Sequence, residues 1–243
     1  LLGSLNLTMY VNKDRTFDFE TYKADIKVFT RMLDNVCDIS YTPLSSYAWA
    51  LKNIRQFGMG LNGVGSTLFM LGLKYGSLQS IEFIKTIQSL KENLTWQASA
   101  ELALEKGVFP LYDHHKFTNT EYFLSNRITD ETKAMIIKYG VRNGKTTTNA
   151  PLGNSSVICD NISSGIEPVF SLEYNRKYIV NDWPEGLDLT NIKTLLTYHK
   201  EKDFEYWEGI YANDLYYYEP HNRGLCKIET VTDYGYNWLI SNN

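Results

Sequence analysis

Cysteine is scarce in this chain, with three in 243 residues and none in a CxxC spacing, which argues against a disulfide framework and against a zinc site built on thiolates. Cys37, Cys159 and Cys226 stand far apart, a usage that suits a reducing, cytoplasmic setting. Positive charge is also short: 24 Lys and Arg face 28 Asp and Glu, and no basic stripe is present. General nucleic-acid binding, which draws its affinity from clustered cations neutralising phosphates, therefore has no visible source. No apolar run approaches the roughly 18 residues needed to cross a bilayer, and the opening residues lack the basic region and long apolar segment of a signal peptide. Internal repeats and low-complexity linkers are missing, so composition marks no domain boundary within 1–243. An initiator Met is missing too. The chain opens on an apolar, strand-like segment and closes at Trp238-Leu239-Ile240, so both ends read as internal to a longer protein.

What is present is globular material, 43% hydrophobic, and its spacing lays out the elements. Leu5-Asn6-Leu7-Thr8-Met9-Tyr10-Val11 alternates like a strand. Phe19, Tyr22, Ile26, Phe29, Leu33 and Val36 recur at steps of three and four and predict an amphipathic helix over 18–38. A second helix is expected over 45–56, opened by the Thr42-Pro43 region, followed by a glycine-punctuated strand and tight turn over 57–65. The longest helix runs from Ser77 to about Lys106 on Leu78, Ile81, Ile84, Ile87, Leu94, Ala98 and Leu102. Glu82, Lys85, Lys91 and Glu92 fall on its other faces, and Gly107 stops it. A helix over 129–139 ends at Gly140, after which Thr146-Thr147-Thr148 leads as a β-branched run into a proline loop. Beyond Phe170 the chain turns aromatic and acidic and its period is hard to read; one helix is expected there, over 192–200.

The most telling stretch is Asn149-Ala150-Pro151-Leu152-Gly153-Asn154-Ser155-Ser156, followed by Ser163-Ser164-Gly165-Ile166-Glu167-Pro168. Pro151 fixes one backbone angle, Gly153 frees another, and Asn154, Ser155 and Ser156 are small hydrogen-bonding residues suited to a helix start. A helix beginning here aims unpaired N–H groups and the positive end of its dipole at a ligand, and so attracts phosphate without a lysine. The plainer reading of the same residues is a capped turn. Glu167, close behind the loop and next to Pro168, is read as loop support that orients the loop or bonds a backbone amide.

Other residues invite chemistry less well. His114-His115 follow Asp113, but adjacent histidines point in different directions and no third ligand has suitable spacing, so no metal site is expected and an exposed loop is the reading. Glu101 and Glu105 share a helix face with Lys106 adjacent, which reads as solvated charge rather than a catalytic carboxylate pair. The late aromatics, Trp183, Tyr206, Trp207, Tyr211 and Tyr216 to Tyr218, are read as packing beneath loops rather than as a platform for bases or sugars. The three cysteines are read as ordinary residues.

Taken in order, several segments resemble the large chain of ribonucleotide reductases, most closely the class II, adenosylcobalamin-dependent branch found in bacteria and phages. Leu2-Gly3-Ser4-Leu5-Asn6-Leu7 resembles that family's first strand, and Leu33-Asp34-Asn35-Val36 with Tyr41-Thr42-Pro43-Leu44 its helix and following turn. Asn53-Ile54-Arg55-Gln56-Phe57-Gly58-Met59-Gly60 and Leu73-Lys74-Tyr75-Gly76-Ser77 are similar to its glycine block and continuation. Arg142-Asn143 leads to Ala150-Pro151-Leu152-Gly153-Asn154-Ser155-Ser156, then Ser163-Ser164-Gly165-Ile166-Glu167-Pro168-Val169-Phe170 and Glu229-Thr230-Val231 with Asp233-Tyr234-Gly235. The resemblance implies an α/β fold: a helix-rich part of a ten-stranded α/β barrel, with 1–243 a partial catalytic domain.

By the same resemblance the substrate phosphates rest on Leu152, Gly153, Asn154, Ser155 and Ser156, supported by Pro151 and Glu167. Leu152 departs from the family's threonine and loses a hydroxyl, Asn154 keeps a hydrogen-bonding amide, and Ser155 adds a hydroxyl. The Met59-Gly60-Leu61-Asn62-Gly63 stretch departs as well, which leaves that lining of the barrel unassigned. The implied chemistry is thiyl-radical reduction of the ribose 2′-carbon, with its cysteines upstream of Leu1, so no catalytic residue is expected within this chain and the chain alone is expected to be inactive. Implied partners are a ribonucleoside di- or triphosphate, the upstream portion of the enzyme, a thioredoxin-like or glutaredoxin-like reductant, a second copy in a homodimer, and adenosylcobalamin as cofactor; neither nucleic acid nor a membrane is among them. The setting is the cytoplasm, that of a bacterial host if the gene is a phage's. Three alternatives stand beside this: a class I chain with a separate radical-generating subunit, a stand-alone nucleotide-binding module, and a structural protein whose loop is only a capped turn.

Overall fold

A pair of parallel strands organises the first part of the chain. In the computed structural model, which describes residues 1–221 and 224–242, the chain divides into two compact units: Leu1–Phe170 with the C-terminal stretch from Tyr234, and Ser171–Asp233.

In the first unit β1 (Leu2–Asn6) pairs in parallel with β2 (Gly58–Asn62), Leu2 opposite Gly58 and Asn6 opposite Asn62. Every residue of β2 is buried. On its other edge the 146–148 segment runs alongside, with Met59 N donating to Thr146 O at 2.9 Å and Thr148 N to Met59 O at 3.0 Å. Glycine at 58 is required by this closeness, because a Cβ there would lie 2.7 Å from Thr148 Cγ2.

Helices cover this core. Helix α1 (Phe19–Ile39) is capped by Asp18, whose carboxylate accepts from Thr21 N, and turns Tyr22, Ile26, Thr30, Leu33, Asp34 and Cys37 inward. After α2 (Ser45–Asn53), β2 and α3 (Val64–Met70) comes α4 (Leu78–Lys106), capped by Ser77 and stopped by Gly107 at φ 84°. Tyr22, Ile26, Leu5, Leu7, Met59, Leu61 and Ile87 form one buried cluster; each such side chain contributes about 1.5–3 kcal/mol by leaving water. A second cluster, Trp96, Phe109, Phe123, Ile128, Ile136 and Val141, gathers the short α5 (His114–Thr118) and α6 (Glu121–Leu124) with α7 (Asp130–Tyr139). Helix α8 (Gly153–Ile158) follows the 146–148 segment.

The second unit is an antiparallel sheet in the order β3-β7-β6-β5-β4, built from β3 (Glu173–Ile179), β4 (Thr197–Glu201), β5 (Phe204–Tyr211), β6 (Asp214–Glu219) and β7 (Gly224–Thr232). One face packs Trp207, Tyr216 and Leu225 on Leu187, Ile192 and Leu196, next to the single-turn α9 (Ile192–Leu195). The chain then returns to the first unit in α10 (Tyr234–Ser241), where Tyr236 meets Phe69 of α3 edge-on.

The mixed helix-and-sheet architecture agrees with the expected α/β class, but among the described residues the parallel strands do not close into a barrel. Several local expectations need correction. The strand expected over 5–11 is Leu2–Asn6, because Asn6 Oδ1 accepts from Thr8 N and turns the chain into a 3-10 helix at Leu7–Tyr10. Helix α2 stops at Asn53, short of 56, and Arg55 takes a left-handed φ of 51°. Its N-cap is Leu44, with no side-chain cap from the Thr42-Pro43 region. The helix expected over 192–200 is one turn, after which Thr197–Glu201 pairs with β5 as a hairpin. Lys91 and Glu92 are buried rather than on the outer faces of α4. Among the described residues no helix is long and apolar enough to cross a membrane.

Candidate functional site

The loop that leaves the 146–148 segment enters α8 with its first donors open. Gly153 and Asn154 are exposed, and among the described residues their backbone N–H groups have no hydrogen-bond partner. Ser155 N and Ser156 N turn back onto Leu152 O at 2.8 and 3.2 Å, and the Ser156 hydroxyl donates to Gly153 O at 2.6 Å. Ser156 is thus buried and spent on the helix itself, while the Ser155 side chain is half-buried. Gly153 has an ordinary negative φ, contrary to the expectation that it frees an unusual angle; what it does is leave space, since a Cβ there meets nothing within 4 Å.

The second part of the motif holds this loop. Leu152 N donates to Ser164 O at 2.9 Å. Glu167 Oε1 accepts from the Ser164 hydroxyl at 2.7 Å and from Gly165 N at 2.9 Å. Burial works against this carboxylate's charge, but the hydrogen bonds from Ser164 and the neighbouring amides hold it below the usual range. The turn is anchored in turn to α3: Gly63 N donates to Ser163 O at 2.7 Å, Val64 N to Gly165 O at 3.2 Å, and Gly65 N to Ser163 Oγ at 2.9 Å. Beside it, Leu61, Val64, Ile87, Gln88, Asn149 and Ile166 line part of an apolar cavity of about 170 Å³.

The first unit also holds a buried ionic cluster that the sequence reading missed. Asp34, fully buried on α1, accepts from Arg55 at 2.7 Å and from Asn143 Nδ2 at 2.8 Å. Arg55 also reaches Asp38 at 2.7 Å, and Lys106 reaches Asn35 at 2.7 Å. Burial alone would raise the Asp34 carboxyl, yet the bonds from Arg55 and Asn143 keep it below the ordinary value. The cluster joins four segments distant in sequence, and only the presence of Asp34, Arg55 and Arg142-Asn143 in the motif series hinted at it.

A family profile described as "Ribonucleotide reductase, barrel domain" matches residues 1–228. The chain belongs to that family. It is similar to the vitamin B12-dependent ribonucleoside-diphosphate reductase of Thermoplasma acidophilum, 31% identical over 214 residues that cover 88% of this chain and 24% of that protein. It is also similar to the ribonucleoside-diphosphate reductase subunit alpha of Chlamydia muridarum, 26% identical over 253 residues, covering 96% of this chain and 23% of that protein. A vitamin B12-dependent ribonucleoside-diphosphate reductase of Mycobacterium tuberculosis strain H37Rv is 27% identical over 178 residues, covering 73% of this chain and 22% of that protein. The chain thus spans about a quarter of the length of these relatives.

In this ribonucleotide reductase segment the remaining candidates are ordinary in their surroundings. Glu101 meets Lys27 at 3.0 Å and Glu105 meets Arg31 at 2.6 Å, exposed cross-helix pairs between α4 and α1 and not a carboxylate couple. His114 and His115 are exposed on α5, a helix where a loop was expected, and Tyr112 Oη lies 3.2 Å from His114 Nδ1. Among the described residues no group of three or more His, Cys, Asp or Glu gathers to hold a metal. Cys37 is buried on α1's inner face, and burial pushes its thiol up, as it does for the half-buried Cys226. Of the late aromatics, Trp207 and Tyr216 pack in the core of the second unit, while His199, Tyr206 and Tyr217 stack across its other face at 4.8 and 4.9 Å.

Proposed function

We propose that this chain is part of the catalytic polypeptide of a ribonucleotide reductase and contributes the cradle for the substrate phosphates, Leu152 to Ser156, to an active site completed by further sequence. The observation that carries this reading is the open pair of amides at Gly153 and Asn154, fixed by the Leu152–Ser164 bond and braced by Glu167. An anion there meets two backbone donors, the positive end of a short helix and the Asn154 and Ser155 side chains. Pro151 sets the entry angle. The names of the relatives favour a ribonucleoside diphosphate as substrate. In this reading residues 1–243 are a partial catalytic barrel domain of a cytoplasmic enzyme, in the host cytoplasm if a phage carries the gene.

The reduction itself belongs to cysteines outside the positions of Cys37, Cys159 and Cys226, with electrons from a thioredoxin-like or glutaredoxin-like partner, and the assembled enzyme is a homodimer. Adenosylcobalamin is the cofactor favoured by the names of the Thermoplasma and Mycobacterium relatives. Among the described residues the adjacent histidines His114 and His115 are exposed on α5, and no residue of this chain is assigned to the cofactor. A class I enzyme with a separate radical-generating subunit is the second reading, favoured by the subunit alpha relative that covers 96% of the chain.

Calorimetric titration with ADP tests the cradle. Binding that weakens on Gly153→Val and on Ser155→Ala supports it, and equal affinity in all three proteins rejects it. Ribonucleotide reduction by these 243 residues alone would overturn the view that further sequence completes the site.

A further inference from the structure

The root of the loop holds a charge that the proposed reading does not use. Lys91 on α4 has none of its surface exposed. Its Nζ donates to Met59 O at 3.1 Å, Thr148 O at 3.1 Å and Asn149 Oδ1 at 3.3 Å, all neutral oxygens. A buried ammonium is expensive for net stability, and a Leu or Met would fill a core position at lower cost. What Lys91 supplies is local. The 146–148 segment bonds to β2 through Met59 N to Thr146 O and Thr148 N to Met59 O; there the backbone ladder stops, and the Thr148 carbonyl accepts from Lys91 instead. The ammonium therefore bridges a carbonyl on each side of the ladder at its last rung, and takes the Asn149 side chain as its third acceptor. Asn149 is where the loop begins, and it lines the apolar cavity beside the turn.

We propose that Lys91 is a positioning residue for the candidate phosphate loop, its ammonium closing the β2 ladder and fixing the point from which Asn149 to Ser156 departs. The inference rests on the loop reading given above. Titration gives it a signature. Burial brings the lysine down to about 8, opposed by Glu92 on its own helix, which is held by Tyr122 at 2.6 Å and Arg127 at 2.9 Å. The groups that face it from β2 and from the 146–149 segment are carbonyl and amide oxygens. At neutral pH three protons meet three acceptors, and the amine formed above that range has two. Because its folded pKa is depressed, the unfolded chain keeps the proton over a window where the folded chain has released it. Overall stability therefore rises with pH from about 8 to the lysine's ordinary value, while the loop loosens. A side chain that only filled space would not separate these two responses.

Hydrogen-exchange mass spectrometry on the full 243-residue chain tests this, with Lys91→Met as the variant. The expected result is exchange faster by about tenfold in peptides over 147–156, unchanged exchange in 94–105 of α4, and an unchanged or raised melting temperature. Wild type taken to pH 9.5 shows the same rise after correction for intrinsic rates, Lys91→Met shows none, and methylammonium restores protection to Lys91→Ala. Wild-type exchange in the loop of Lys91→Met, or loosening spread evenly through α4, overturns the proposal. Added ADP slows loop exchange in wild type; failure of that arm alone counts against the substrate reading, and the exchange comparison still decides the role of Lys91.

Discussion

Helices α3 and α8 both begin against the turn at Ser163–Gly165, and the turn treats them differently. At α3 it fills the helix start: Gly63 N, Val64 N and Gly65 N all find acceptors on Ser163 or Gly165. At α8 it bonds only the residue before the helix, Leu152 N to Ser164 O, and leaves Gly153 N and Asn154 N open at an exposed position. The same dipole and the same kind of orphan donor exist at both starts. One is consumed in holding the fold together and the other is held out at a fixed distance from it. In the proposed reading the consumed start serves the open one, because a loop tied to a packed helix would lose little entropy on ordering around a ligand.

The closed start should be the most sensitive to change. A Cβ at Gly65 would lie 2.8 Å from Val169 N and 3.0 Å from Glu167 O, both backbone atoms that cannot swing aside. Gly65→Val should therefore cost about 1–3 kcal/mol or more in chemical denaturation, and a wild-type midpoint would show that the start is not close-packed. Ser163→Ala, which strips the acceptor from the buried Gly65 amide, should cost about 1–3 kcal/mol by the same measurement. At the open start the outcome should invert. A Cβ at Gly153 meets no neighbour within 4 Å, so Gly153→Val should move stability by less than about 0.5 kcal/mol, yet weaken ADP binding about tenfold in calorimetry. A loss of stability without a loss of binding would erase the contrast between the two helices.

The smallest effect concerns the brace between them. The Glu167 carboxyl is depressed on folding, so its contribution is present above the ordinary carboxylate range and disappears as pH falls through the lowered value. Unfolding midpoints measured from pH 6 to 3 should fall less steeply in Glu167→Gln than in wild type, and parallel curves would show that Glu167 carries no such linkage.

Legibility in the sequence followed the range of the interactions. Helices α1, α4 and α7 were read with their ends nearly right, because Asp18, Ser77 and Thr129 cap them within three residues and the apolar period is long. The loop and helix start around Pro151 were legible from adjacent residues too, although α8 has no side-chain cap and 146–148 makes a single bridge to Met59 instead of the expected strand; the motif order carried the family. The sheet of the second unit was not. Tyr216, Tyr217 and Tyr218 are aromatic on both faces, which hides the period of two that marks a strand. Lys91 was assigned outward as charged residues usually are, and only its backbone acceptors from two distant segments explain its place inside. Asp34, Arg55 and Asn143 each look unremarkable alone; their meeting is a contact across 109 residues.

The sequence by itself determined the helices, the small polar loop after the threonine run and the family those motifs belong to, since each depends on neighbours a few residues apart. Only the tertiary structure decided which helix start stays open, that Glu167 and Ser164 hold the loop, and that a lysine is buried at its root. Those outcomes depend on which donors and acceptors are left over once β2, α3 and α4 have packed, and no local pattern records that remainder.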